Sequence, residues 1–144
     1  MGKSVLLTRD ALLQRDDLKI EKVELTRGHV YVREMTGYEK DVWEQSMVVQ
    51  TNTGDKKNPV KYETSLDDFR AKLAVVTVCD ENGTLLFRPQ DVKTLNKMMS
   101  ASNMERIIET AQRLNAITEK DREDILKNSE TGQDVGSSSG SVES

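Results

Sequence analysis

Few residue types in this chain can do chemistry, and their spacing decides what each can do. The only histidine is His29 and the only cysteine is Cys79, far apart in the sequence and with no nucleophile motif around either. A histidine next to a hairpin turn is expected to face solvent, and Cys79, ending the run Leu73-Ala74-Val75-Val76-Thr77-Val78, reads as a small buried hydrophobe. Asp80, Asn82, Thr84 and Asp91 fall at positions one, three, five and twelve of a calcium loop. The match fails where geometry is strictest: Leu85 stands where the loop needs glycine, Gly83 is misplaced, and Asp91 replaces the bidentate glutamate. A turn followed by a helix N-terminus accounts for the same residues. Glu105 and Glu109 share a helix face without an accompanying histidine, the pattern of solvated carboxylates. Phosphate loops and dinucleotide fingerprints are absent. These residues predict no catalytic centre, no metal and no cofactor, which leaves binding to other proteins.

Composition narrows the partners. Across 144 residues the chain is 35% hydrophobic and 32% charged, with six aromatic residues and a net charge of -4. Nucleic-acid binding rests on clustered Lys and Arg, and the longest basic run here is the pair Lys56-Lys57 between Asp55 and Asn58. Nucleic acid is therefore not an expected partner. No stretch is long enough to span a bilayer, and the N-terminus lacks the basic and apolar halves of a signal peptide. With a lone cysteine, the cytoplasm is the expected compartment.

The residues must be positioned by an α+β fold, a mainly helical single domain with an N-terminal β-hairpin. Leu18–Leu25 and His29–Met35 alternate with period two around Thr26-Arg27-Gly28, which predicts a hairpin with one buried face. Thr36 and Glu39 have the capping-box spacing, opening a helix to about Gln50 with Trp43 as a core anchor. Residues 51–64, with Gly54 and Pro59, read as a loop. Ser65-Leu66-Asp67-Asp68 is expected to cap a central buried helix carrying Phe69, Leu73 and Val76, which must stop near Asp80-Glu81-Asn82-Gly83. Thr84–Phe87 returns as a short extended piece, and Pro89 suits the first turn of a helix to about Met99.

Ser102 and Glu105 form a second capping box, before Met104, Ile107, Ile108, Ala111 and Leu114 at helical spacing. A short final helix begins at Thr118 and places Ile125 and Leu126 on one face. From residue 130 to 144 there are five serines, three glycines and two valines, too little apolar surface to offset the entropy of ordering. The division expected is a domain over 1–129 and a flexible Gly/Ser-rich tail over 130–144.

An ordered set of short motifs adds to this reading: Phe69-Arg70-Ala71-Lys72-Leu73, Cys79-Asp80-Glu81-Asn82-Gly83, Leu86-Phe87, Asp91-Val92, Leu95, Ala111-Gln112-Arg113-Leu114-Asn115, Ile117-Thr118 and Lys127-Asn128-Ser129, together with the N-terminal hairpin and its Arg33-Glu34-Met35-Thr36-Gly37. Over roughly residues 18–129 the chain resembles the tail assembly chaperones of long-tailed, lambda-like bacteriophages. The resemblance implies a non-enzymatic factor of the host cytoplasm that binds and solubilises the tape measure protein while the tail tube polymerises, and is absent from the mature virion. It further implies a longer, frameshifted product that reaches the tail tube protein, this chain being the shorter form, and it allows self-association. Two other readings compete, a structural tail or head-completion component and a small helical DNA-binding regulator.

A tape measure helix held in an apolar groove needs adaptable side chains, and Met98, Met99 and Met104 are the candidate protein-binding residues. Methionine also fills cores, and for these three the core role carries more weight than the interface role.

Overall fold

In the computed structural model the described residues are 4–118, 120, 121, 123 and 124. Thr8 caps a one-turn helix, α1 (Arg9–Leu12), none of whose residues is buried. The expected hairpin follows as β1 (Ile20–Leu25) and β2 (Gly28–Arg33), antiparallel in a register running from Ile20 opposite Arg33 to Leu25 opposite Gly28. Its alternation buries Val23 and Val32 against the helices while Lys22 and Glu24 remain outside.

The capping box at Thr36 is formed: its Oγ1 accepts from the Glu39 N–H at 3.2 Å and the Glu39 carboxylate accepts from the Thr36 N–H at 3.0 Å. It opens α2 (Gly37–Gln45), which stops short of the expected Gln50. Val48, Val49 and Thr51 favour extended backbone, and they pair instead of continuing the helix. The result is a second hairpin, β3 (Val48–Asn52) against β4 (Val60–Thr64), where a loop over 51–64 was expected. Its turn is tied by side chains: the Thr53 hydroxyl donates to the Asn58 carbonyl, and Asp55 accepts from the Lys57 N–H at 2.9 Å.

The central helix is α3 (Phe69–Val75), with Phe69, Ala71, Leu73, Ala74 and Val75 buried. It ends earlier than the turn signature predicts. The β-branched run after it gives way to β5 (Val78–Cys79), which pairs antiparallel with β2 through Val32–Val78 and Tyr31–Cys79. Thr77, buried between them, satisfies its hydroxyl on the Leu73 carbonyl at 2.8 Å. Ser65 does not cap α3. Its Oγ accepts from the Asp67 N–H, and Asp68 takes the cap position at φ 58° without a side-chain cap bond.

The Asp80–Gly83 turn is built by Asp80, whose Oδ1 accepts from the N–H groups of Asn82 and Thr84 at 2.8 and 3.0 Å. Gly83 is required there: φ is +85°, and an added Cβ would lie 3.1 Å from Ile20 Cδ1. Leu85 then bridges Cys79, as the extended return predicts. A 3₁₀ turn at Pro89–Asp91 leads into α4 (Val92–Met98).

The clearest amphipathic helix, α5 (Ala101–Leu114), buries Met104, Ile107, Ile108 and Ala111, but its cap is Ser100. Ser100 Oγ accepts from the Asn103 N–H at 3.1 Å, so Ser102 lies inside the first turn and not at the expected boundary. Asn103 and Asn115 bind α5 to the first hairpin at both ends, accepting from Thr26 N–H at 3.2 Å and Met35 N–H at 2.7 Å. Thr118 forms the expected cap with Asp121, whereas Ile125, Leu126 and the whole 130–144 segment lie outside the described residues.

The core is thus a three-stranded sheet, in the order β1-β2-β5, covered by α5, with α3 packed against α5 and Trp43 and Met47 buried in the same cluster. Trp43 meets Phe69 edge to face at 5.6 Å. No described helix is long and apolar enough to cross a membrane.

Candidate protein-binding groove

Four elements converge on an apolar hollow. α2 supplies Val42 and Trp43, β3 supplies Val49, α3 and the residue after it supply Val75 and Val76, and the start of α4 supplies Val92. The groove holds about 460 Å³, within the range of sites that take apolar side chains. Its wall is exposed, Val42 at 39% and Val49 at 42%. Trp43 lies deeper, at 2%, and its indole N–H is buried without an acceptor among the described residues.

Charges border this apolar floor. Asp67, Asp68, Lys72 and Lys93 line the rim. Lys93 donates to Asp68, and Asn96 Nδ2 adds a bond at 2.6 Å. The Lys93 hydrogen bond, with help from Asn96, holds the Asp68 carboxyl below the usual carboxylate range, and Asp68 in turn raises Lys93. Lys72 Nζ donates to the Ser46 carbonyl at 2.7 Å, linking α3 to the end of α2. Both signs are therefore present around an apolar centre, the arrangement of a protein-binding patch.

A largely buried ion pair ties the end of β2 to the first turn of α2. Arg33, 3% exposed, makes a bidentate contact with Glu39, Nη1 to Oε1 at 3.0 Å and Nη2 to Oε2 at 2.7 Å. Burial alone would raise the Glu39 pKa, but the hydrogen bonds and charge of Arg33, with the Thr36 cap, bring it below its ordinary value.

The candidate methionines lie elsewhere. Met98 is 79% exposed, Met99 is half-buried, and both line a second hollow of about 740 Å³ beside the Thr26–Gly28 turn. Met104 is 5% exposed and packs in the core. His29 is exposed in the same second hollow, its ring edge against Tyr31, while Cys79 is buried in β5. Burial pushes the Cys79 thiol up from its ordinary value, Arg33 opposing and Asp80 adding to the shift. The described residues contain no group of three or more metal-ligating side chains.

The valine groove escaped sequence reasoning because its members come from separate segments, and one of them, Val49, was assigned to a helix. The available signal was surplus: α2 and α3 carry more apolar positions than one buried stripe uses.

Apolar elements around an open groove, set on a mixed sheet-and-helix core, define an α+β domain with an exposed apolar hollow. The structure is similar to that of the bacteriophage HK97 tail assembly chaperone, with a TM-score of 0.51 and 14% identity. The likeness covers 77% of this chain and 94% of the chaperone, so the tail-assembly-chaperone fold that the motifs resemble is present. No family model matches the sequence, and no curated protein matches it.

Proposed function

We propose that this chain is a bacteriophage tail assembly chaperone, a non-enzymatic factor that holds the tape measure protein soluble in the host cytoplasm while the tail tube forms around it. The observation that carries the reading is the fold shared with the HK97 chaperone over nearly all of that protein's length. The groove supplies a physical means. An amphipathic client helix presents apolar residues at i, i+3, i+4 and i+7, which suits a valine-lined trough with charges along its rim. On this reading residues 1–129 are the client-binding domain and residues 130–144 a connection. In a longer frameshifted product that connection leads toward the tail tube protein. Met98, exposed at the second hollow with Met99, is an additional contact for a long client.

Co-expression with the tape measure protein of the same phage tests the proposal. The client is expected in the soluble fraction, co-eluting with several copies of this chain, and Val42→Asp with Val49→Asp is expected to return it to the pellet. Equal client solubility with and without the chain, and no co-elution, would reject the chaperone role.

A further inference from the structure

Two hydrogen bonds fix which way the backbone of β3 faces. The Ser65 N–H donates to the Met47 carbonyl at 2.7 Å, and the Thr53 N–H donates to the Pro59 carbonyl at 3.1 Å. Bonded and non-bonded pairs alternate along an antiparallel ladder, so the bonded pairs between these two are Val49 with Glu63 and Thr51 with Lys61. Val48, Gln50 and Asn52 therefore turn their N–H and C=O groups away from β4. The sheet ends there, all of β3 is exposed, and among the described residues nothing bonds to these outward groups.

An open edge of this kind is a template for another strand, and folded proteins normally blunt it with charge, proline or a covering element. The outer strand β1 of the other sheet is blunted in this way. It carries Glu21, Lys22 and Glu24, and Arg106 on α5 donates to the Glu24 carbonyl at 3.2 Å. Nothing blunts β3. Val48-Val49-Gln50-Thr51-Asn52 has no charge, proline or glycine, and Val48, Val49 and Thr51 are β-branched. A two-stranded hairpin is also one strand short of stability on its own.

We infer that the β3 edge takes an extended segment of a client protein as a third strand. The outward N–H and C=O groups supply its main-chain bonds, and side chains at alternate positions select the occupant. Val49 and Thr51 face one side of the ribbon, and Val48, Gln50 and Asn52 face the other. Val49 also lines the valine groove, so side chains of the added strand on that face lie along the groove's margin. The matching segment is about five residues long, uncharged, and apolar at every second position. Such segments stack into insoluble sheets when left exposed, so covering one edge keeps a client in solution. The inference rests on the chaperone reading for the source of the segment, and it adds a backbone-directed mode to the binding of a client helix.

Binding of a synthetic peptide to the full chain tests this without a tape measure protein. The probe is an end-blocked peptide of alternating valine and threonine, N-methylated at every second amide so that only one of its edges can pair. It is expected to bind and to slow hydrogen exchange at the Val48, Gln50 and Asn52 amides, which exchange freely in the unbound chain. The same peptide methylated at every amide should not bind. Gln50→Pro removes an outward N–H and leaves the ladder to β4 intact, so it should weaken binding at least about tenfold. Gln50→Ala keeps that N–H and should stay within about twofold of the unaltered chain. Circular dichroism checks that both variants fold. Absence of peptide binding, equal binding of the two methylated peptides, or equal weakening by Gln50→Pro and Gln50→Ala would each overturn the inference. Protection of the three amides that rises with protein concentration in the absence of peptide would give the edge to a second copy and overturn it as well. Peptide binding by a chain that leaves the tape measure protein insoluble would reject the chaperone reading and leave the strand site standing.

Discussion

The two hairpins are built from similar local chemistry and end in opposite situations. β1 and β2 join through a tight turn, bury Val23 and Val32, and are tied to α5 at both ends by Asn103 and Asn115. β3 and β4 span a longer polar turn, and none of their residues is buried. A two-stranded hairpin alone is marginal in water, so the second depends on the first region's core for its anchorage at Met47, whose carbonyl accepts from the Ser65 N–H at 2.7 Å. Burial separates a structural hairpin from one that contributes Val49 to the wall of an open apolar groove.

The strongest way to break this contrast is to place the same charge in each hairpin. Val32→Asp, at a fully buried site, should cost more than about 4 kcal/mol or prevent folding, whereas Val49→Asp should cost at most about 1 kcal/mol. Urea denaturation midpoints measure both, and equal losses would show that the second hairpin belongs to the core.

The ion pairs sharpen it next. Glu39→Gln leaves Arg33 buried with its charge uncompensated and should cost about 3 kcal/mol. Because the folded Glu39 pKa lies below its ordinary value, its contribution is present above the ordinary carboxylate range and is lost as pH falls through the folded value. Glu39→Gln should therefore flatten the acid limb of a stability-pH curve. The matching pair on β4, Lys61 and Glu63, is 3.8 Å apart and nearly half exposed, and Glu63→Gln should move stability by no more than about 0.5 kcal/mol.

A smaller effect tests the cap that anchors the first region's helix. Ser100→Ala should cost about 1 kcal/mol, and Ser102→Ala, exposed inside the first turn, should stay within about 0.5 kcal/mol. The reverse order would move the helix boundary to Ser102. The smallest perturbation is none at all: by native-state hydrogen exchange, amides paired between β1 and β2 should open only with global unfolding. Those of β3 and β4 should open locally at lower free energy, and uniform protection across both hairpins would erase the distinction.

What the sequence by itself determined was a set of features with a strong local signal, though the caps expected at Ser65 and Ser102 were not among them. Period-two alternation marked β1 and β2, the Thr36–Glu39 spacing marked the start of α2, Thr118 marked its own cap, and the apolar positions from Met104 to Leu114 marked α5. The ordered motifs pointed to the chaperone fold that the structural likeness bears out. What only the tertiary structure decided was the fate of ambiguous β-branched runs. Val48–Asn52 and Val78–Cys79 are compatible with more than one backbone, and strand pairing, with β4 and with β2, chose the extended form. The groove follows from the same cause. Val42, Val49, Val76 and Val92 carry no shared periodicity, and they become one surface because the end of α3 and the second hairpin turn where pairing, not propensity, directs them.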